Sequence, residues 1–592
     1  MSAAGDEPKP VTTSSDSAWD PQWSEDGRFL YFLSDRGETY QIWKLPVDGF
    51  GEASQVTNLE QGVSSINLSP DENRILLTFS DNDLLPQEKD EDGLPEPIVV
   101  TRRHFKRDAG QGYITAGQTS HIYVYDIESE SLVQITAGPY DESNAAWSPD
   151  GGSIVFTSNR EKEPNVGYRS DIWLVSIEAD RIQPELLRLT DSEDRKRSPA
   201  WSPDGRQIAY LRADAGPYGP SQIAIVSVSG GKPRILTERL DRRVASFKFS
   251  ADGEWIYFNF DNAGGRHLSR VRVSDAKIES LIEGDRVVSS FDVGAGSMLA
   301  VRLNDGNDTS DIYGLNKKRL SRLTELNREF FARILVGERI KVSFESKDGT
   351  IIEAFVTTPP GYDSSVRYPT ILNIHGGPVS QFSWGYGFTT QYFAARGYVV
   401  VEPNPRGSTG QGQEFTRAIY RTWGITDYDD VIASITYAID QGYADSDRLT
   451  ITGYSYGGYM TNVVITRTNL FKAAASGAGH SLIEANFGHD IYQKWYMWEL
   501  GVPWDNRDKY DLLSPFLRAG NIETPTLFLG GRLDWNVPIL NAELLYQSLV
   551  VRGIESELVV YPGMHHGGWP DEYEKDYIRR IIAWFDQYLE SD

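Results

Sequence analysis

The sequence predicts a chain of two domains, an N-terminal β-propeller of six or seven blades over residues 1–330 and a C-terminal α/β domain over residues 331–592. Three observations predict this. A strand-and-turn unit repeats through the first half. Apolar runs alternate with helical stretches in the second half. A Gly-x-Ser-x-Gly stands at one strand–helix junction among them.

The repeat is an aromatic-Ser-x-Asp-Gly segment followed by alternating apolar strands. It occurs as Trp23-Ser-Glu-Asp-Gly27, Trp147-Ser-Pro-Asp-Gly151, Trp201-Ser-Pro-Asp-Gly205 and Phe249-Ser-Ala-Asp-Gly253, with a weakened copy at Leu68-Ser-Pro-Asp-Glu72 and a degenerate one near Val293-Gly-Ala-Gly296. Each copy is followed by a second strand signal: QIWKL at 41, HIYVY at 121, DIWLV at 171, QIAIV at 222, HLSRV at 267 and DIYGL at 311. Gly in the turn tolerates positive φ, and Pro presets the angle before it. Small sheets recurring at this interval must stack on neighbours to bury their faces, which is how propeller blades are built. An insertion at about 81–120 lies inside the second unit.

In the second half, Thr370–Ile374, Tyr398–Val401, Leu449–Thr452, Thr526–Leu529 and Leu558–Val560 read as buried parallel strands. Helical stretches at Asp427–Gln441 and Glu572–Leu589 alternate with them, and that alternation implies an α/β sheet. Directly after the strand at 449–452 comes Gly453-Tyr-Ser455-Tyr-Gly457-Gly458, followed by a helical run. Strand, Gly-x-Ser-x-Gly and helix together form the elbow that exposes a serine nucleophile in the α/β-hydrolase fold.

A serine nucleophile needs a base, and the base needs an orienting acid. In this fold they follow in the order Ser, Asp, His, each just past a strand. Asp534 stands in the loop after 526–529, and His565 and His566 stand in the loop after 558–560. Of eight histidines only these two lie beyond Asp534, so the base is one of them. For the developing oxyanion, backbone N–H groups are expected from Tyr456 and from the His375-Gly-Gly377-Pro378 loop, at Gly377.

Composition narrows the field. Lys plus Arg number 58 against 84 Asp plus Glu, a net charge of −26, which argues against nucleic acid as the main partner. With no cysteine there is no thiolate nucleophile and no Cys-ligated zinc. There is no His-Glu-x-x-His, so neither metal nor cofactor is expected. No apolar run reaches 18 residues, so no membrane span is expected. The polar start fits a cytoplasmic chain, or an exported one whose signal has been removed. Oligomeric state is open, a homo-oligomer included.

With propeller, elbow, His-Gly-Gly-Pro and triad together, the chain resembles the prolyl oligopeptidase family of serine peptidases, most of all its acylaminoacyl-peptidase branch. The resemblance runs over essentially the whole length. Its most telling stretches are Asn404-Pro-Arg-Gly-Ser-Thr-Gly410, Trp423-Gly424 with Asp427 and Asp430, Gly453–Met460, and Ser514-Pro515. The resemblance implies that His566, which precedes Gly567, is the base. It also implies a propeller that restricts substrates to short peptides. By the same likeness, Asn486–Trp498 builds the pocket for the residue whose carbonyl is attacked, with Phe487 and Tyr492 lining it and Trp495 and Trp498 left as core. The chain departs from the family at Tyr456, where prolyl oligopeptidases proper carry Asn, and at Asn536, where many acylaminoacyl peptidases carry Arg. An Asn there resembles dipeptidyl peptidases, in which it contacts a substrate carbonyl, yet the paired-Glu motif of those enzymes is missing.

The insertion carries Thr101–Asp108, a run with four basic charges in six residues on an acidic chain. Arg102, Arg103 and Arg107 are accordingly candidates to hold a peptide carboxylate, against a plain reading as surface salt bridges. The competing functions are a carboxylesterase with the same triad and a propeller binding protein with an inert second domain.

Overall fold

The computed structural model describes residues 9–589 apart from 13, 38, 48–50, 81–96, 115–117, 165–166, 178–184, 215, 295, 297 and 307–308. The sequence repeat folds as a β-propeller, and its turn has a physical cause. Ser24 Oγ donates to Asp26 at 2.7 Å and accepts the Phe29 N–H at 2.9 Å. The same two bonds recur at Ser69, Ser148, Ser202 and Ser250. Gly27, Gly151, Gly205 and Gly253 close the turn at φ 69° to 70°, in the left-handed region that glycine enters without strain. In the weakened copy Glu72 adopts φ 57° instead.

The strands that follow assemble in order. Four-stranded antiparallel sheets run over residues 18–55, 142–188 and 195–235. A three-stranded sheet is formed by Arg74–Ser80, Ser120–Asp126 and Ser131–Gln134, widened by an isolated Leu68–Ile75 bridge. Strands within 244–282 and 287–322 are joined by one parallel pair, Arg266–Val287. Period-two alternation lets one strand feed two interfaces. In Ser153–Ser158, Ile154 and Phe156 pack with Leu76 and Ile122 of the preceding sheet, whereas Val155 packs with Ile208 and Tyr210 of the next. The degenerate copy lies between strands Val287–Val293 and Leu299–Asn304, although its Ala295 falls outside the described residues. The insertion does leave the second sheet, between strands Arg74–Ser80 and Ser120–Asp126, with 81–96 and 115–117 outside the described residues.

The C-terminal domain is one eight-stranded sheet. Its spatial order is Arg339–Glu345, Ile351–Thr357, Val399–Asn404, Tyr368–Ile374, Ala444–Tyr454, Ala473–Gly477, Thr526–Gly531 and Ser556–Tyr561, parallel from Val399–Asn404 onward. Helices cover both faces: Thr426–Asp440 and Tyr456–Ile465 contribute to one core, and the terminal helix Asp571–Leu589 closes the other with Ile581, Ile582, Trp584 and Phe585. This is the α/β-hydrolase fold. Ligand sites in such sheets gather at the carboxyl ends of the strands, and the loops after 374, 454, 531 and 561 all leave from that edge.

The propeller covers that edge. Tyr218 donates to the buried Glu499 at 2.8 Å, Ala263 N–H donates to Gly410 O at 3.0 Å, and Lys341 donates to Ala263 O at 2.8 Å. Gly216 leaves no space for a Cβ against the Trp498 indole, so Trp498 serves the domain contact. No helix among the described residues is long and apolar enough to cross a membrane.

Candidate active site

Ser455 occupies a sharp bend. Strand Ala444–Tyr454 ends and helix Tyr456–Ile465 begins with this one residue between them, held at φ 62° and ψ −121°. Such a conformation costs a residue with a Cβ on the order of 1–3 kcal/mol, so the surroundings must enforce it. They do so through close backbone packing. A Cβ on Gly453 would overlap Gly457, one on Gly457 would overlap Ile374 O, and one on Gly458 would overlap Gly477 O. The Ser455 N–H is fixed on Gly477 O at 2.9 Å. The hydroxyl is thereby presented above the sheet edge.

His566 Nε2 lies 2.9 Å from Ser455 Oγ, and His566 Nδ1 lies 2.8 Å from Asp534 Oδ2. The other Asp534 oxygen accepts the N–H groups of Asn536 and Val537 at 3.0 and 2.7 Å, which fixes the buried carboxylate in one rotamer. A carboxylate on Nδ1 leaves Nε2 as the basic nitrogen facing the hydroxyl. His565 faces away: its Nδ1 is 3.5 Å from Asp108, and its carbonyl accepts the Trp569 indole N–H.

Tyr456 opens its helix, so its N–H has no acceptor within that helix. Its phenol is buried and donates to Asp427. Burial pushes the Asp427 carboxyl up to about 7, and the Tyr456 phenol also rises well above its ordinary value because burial and the Asp427 charge both oppose ionisation. Across from the elbow, Gly377 takes φ +131° and is followed by a cis peptide to Pro378. Gly376 brings this loop against Tyr454 O and Ser455 Cβ, since an added Cβ would sit 3.0 and 3.2 Å from them. Gly377 and Tyr456 line the same narrow cavity as Ser455.

The site carries the features of a serine peptidase, and the comparisons with known proteins decide the family. Residues 384–592 match the prolyl oligopeptidase family, and residues 113–237 match the TolB β-propeller domain. The chain is 30% identical to an uncharacterized peptidase, YuxL, of Bacillus subtilis, over 98% of this chain and 91% of that one. The chain belongs to the prolyl oligopeptidase family. It is a serine peptidase. It is also 25% identical to dipeptidyl-peptidase 5 of Porphyromonas gingivalis, over 98% of this chain and 88% of that one. In fold it is similar to the acylaminoacyl peptidase of Pyrococcus horikoshii, with a TM-score of 0.82 at 24% identity, covering 97% of this chain and 89% of that one.

Two cavities serve this peptidase. A narrow one beside Ser455 is lined by Gly377, Trp423, Tyr456, Tyr459, His480, Tyr492, Trp495 and Tyr496. A larger chamber of about 660 Å³ lies between the domains and shares Gly377, Tyr492 and Trp495 with the first. Tyr492 therefore stands where sequence reasoning put it, and burial pushes its phenol up to about 12. Phe487 does not line either cavity. It belongs to the turn after helix Ile483–Asn486 and packs behind Tyr496 and Tyr510, while Trp495, expected as core, takes a lining position. Asn536 donates its N–H to Asp534, and its side-chain oxygen is buried without a partner among the described residues.

The basic run of the insertion reaches the chamber lining through His104, but its three candidate arginines do not line it. Arg102 is 3.5 Å from Asp141, exposed Arg103 is 3.6 Å from Glu163, and Arg107 is exposed. What the segment brings to the peptidase instead is Asp108. Its carboxylate accepts the His566 N–H at 3.0 Å and the Trp535 N–H at 2.8 Å. Around it, Lys106 sits 4.0 Å over the rings of both Tyr113 and Trp535. No spacing rule links Asp108 to His566, 458 positions away. The lining role of Trp423, Tyr459 and His480 was not legible in the sequence, because a buried aromatic has the same signature in a core and in a pocket wall.

Proposed function

We propose that Ser455 is the nucleophile, Asp534 and His566 its acid and base, and the N–H groups of Tyr456 and Gly377 the oxyanion donors of a peptidase acting on short peptides. One observation carries this reading: the unbroken chain Ser455 Oγ, His566, Asp534 at 2.9 and 2.8 Å, with Ser455 in the narrow cavity whose wall residues Gly377, Tyr492 and Trp495 also line the interdomain chamber. His566 Nε2 takes the hydroxyl proton as Oγ bonds to the peptide carbonyl carbon, and negative charge gathers on the carbonyl oxygen. Collapse breaks the C–N bond, the leaving amine takes the proton from His566, and the acyl group remains on Ser455. Water then attacks along the same route and frees the enzyme.

A chamber of about 660 Å³ supports a size limit, because it admits a short extended segment and not a folded domain. We take the propeller as six-bladed over 1–330 and the hydrolase domain as 331–592; five propeller sheets, the last of them two four-stranded units joined by the Arg266–Val287 pair, support the blade count. Acylaminoacyl-peptidase-like action, as an exopeptidase or oligopeptidase, is the specificity proposed. Mass spectrometry of products from a library of short peptides with free and blocked ends tests it. Short peptides should be cleaved, long folded proteins spared, and Ser455→Ala should be inert. Undiminished cleavage by Ser455→Ala would overturn the assignment.

A further inference from the structure

The chamber wall contributed by the propeller is strongly basic, on a chain whose net charge is −26. Some of that charge is neutralised. Lys196 is 2.9 Å from Asp171, and Arg169 is paired with Asp171, Asp191 and Glu193. Arg195, Arg197 and Arg243 line the same chamber, and none of the three forms an ion pair among the described residues. Arg197 donates to the Ser221 hydroxyl at 2.9 Å, and Arg195 Nε is buried without a partner. Asp261, the carboxylate that acts on Arg243, is engaged by Arg266 at 2.8 Å and by Thr409 at 3.1 Å.

Their placement is set by the fold. Arg195 and Arg197 are two residues apart at the start of strand Arg195–Trp201 and share one face, whereas Lys196 turns to the other. Arg243 immediately precedes Val244–Phe249, the first strand of the next sheet. Burial lowers all three, holding Arg197 down to about 10, and repulsion adds to it, from Arg243 and Arg195 on Arg197 and from Arg195 on Arg243. Cations kept close together, partly desolvated and without counter-ions are costly to the fold unless an anion arrives. Guanidinium forks match a carboxylate in geometry and charge.

We propose that Arg195, Arg197 and Arg243 form a carboxylate-binding subsite of the chamber, holding the C-terminal carboxylate or an acidic side chain of the peptide under attack at Ser455. The proposal rests on the reading of Ser455 as nucleophile. It gives the peptidase a preference for anionic substrates although its surface as a whole is acidic. It also ties the position of cleavage to the distance between the arginines and the elbow.

The test uses the full chain and three matched peptides: one with a free C-terminal acid, the same peptide amidated, and the amide with one residue replaced by Asp. In the wild type the free acid should exceed the neutral amide in kcat/KM by about tenfold, the worth of a charge-assisted contact, mainly through KM, and rising salt should shrink the gap. Arg195→Gln, Arg197→Gln and Arg243→Gln should each narrow the gap while leaving the amide unchanged. If the Asp-bearing amide equals the free acid, the ligand is an acidic side chain; if it equals the plain amide, the ligand is the chain terminus. Equal treatment of all three peptides by the wild type, or variants that keep the wild-type gap, would overturn the subsite. Turnover of a small neutral ester separates the two readings. Its absence removes Ser455 as nucleophile, whereas its presence without an acid preference removes only the subsite. Thermal unfolding covers a structural role, since losing one of three repelling cations should keep or raise Tm. A lowered Tm with equal loss on acid and amide would contradict the proposal.

Discussion

The carboxylate of Asp108 accepts the backbone N–H of His566 at 3.0 Å, so a residue of the propeller insertion holds the loop that carries the imidazole beside Ser455. A second bond from the same carboxylate to the Trp535 N–H, at 2.8 Å, holds the loop that carries Asp534. One side chain of the first domain thus spans two loops of the second.

Asp108→Ala should accordingly lower kcat by about tenfold or more with little change in KM, because misplacing a general base weakens the transition state rather than binding. Asp108→Asn, which keeps one acceptor oxygen, should recover part of the loss. Steady-state kinetics on a neutral peptide check this. A change confined to KM would show that Asp108 touches substrate instead.

Within the triad, His566→Ala should lower turnover by about 10⁴-fold or more with the fold intact, while His565→Ala should cost far less. The hydrogen bonds set the order, since His566 lies 2.9 Å from Ser455 and His565 is turned toward Asp108. Circular dichroism alongside the kinetics separates chemistry from unfolding. The reverse order of losses would reassign the base.

The narrow cavity is walled by aromatic rings, so apolar residues before the scissile bond should be cleaved faster than Asp or Lys. Trp495→Ala should shift the preference toward larger side chains, because it removes an indole from the wall. Phe487→Ala, one layer back, should change the preference less. Competition among peptides that differ only at that position measures the shift.

Asp427 gives a pH signature. Burial raises its folded value to about 7, above the ordinary carboxylate range. A raised folded value means that the neutral form stabilises the fold fully at low pH, and this contribution is lost as pH rises through about 7. Tm should therefore fall between about pH 4 and 7 more steeply in the wild type than in Asp427→Asn, which stays neutral and can still accept from Tyr456. Parallel Tm-versus-pH curves would contradict the assignment.

Much of this architecture was legible in the residues, for physical reasons that are local. The Ser-x-Asp-Gly turn closes through its own side chains, from Ser24 to Asp26 for instance, and the elbow needs Gly453, Gly457 and Gly458 wherever backbone packs that closely. Buried parallel strands such as Val399–Asn404 are apolar on both faces and read as continuous runs. What stayed hidden depends on contact between the domains. The arginines of the insertion carried the visible charge, but the functional contact of that segment is the adjacent Asp108. Arg195, Arg197 and Arg243, which line the chamber, look in sequence like any others in the repeats. Phe487 and Trp495 lie in one aromatic stretch, and only the turn after Asn486 decides which of them lines the cavity.

We propose above all that Ser455, activated by His566, is the nucleophile of the narrow cavity beside the chamber. A fluorophosphonate reagent followed by peptide mapping in a mass spectrometer tests it directly. We expect a single adduct on the peptide containing Ser455, formed rapidly in the wild type, slowed by orders of magnitude in His566→Ala and absent in Ser455→Ala. An adduct on another residue, or labelling of the native protein that is independent of His566, would contradict the account.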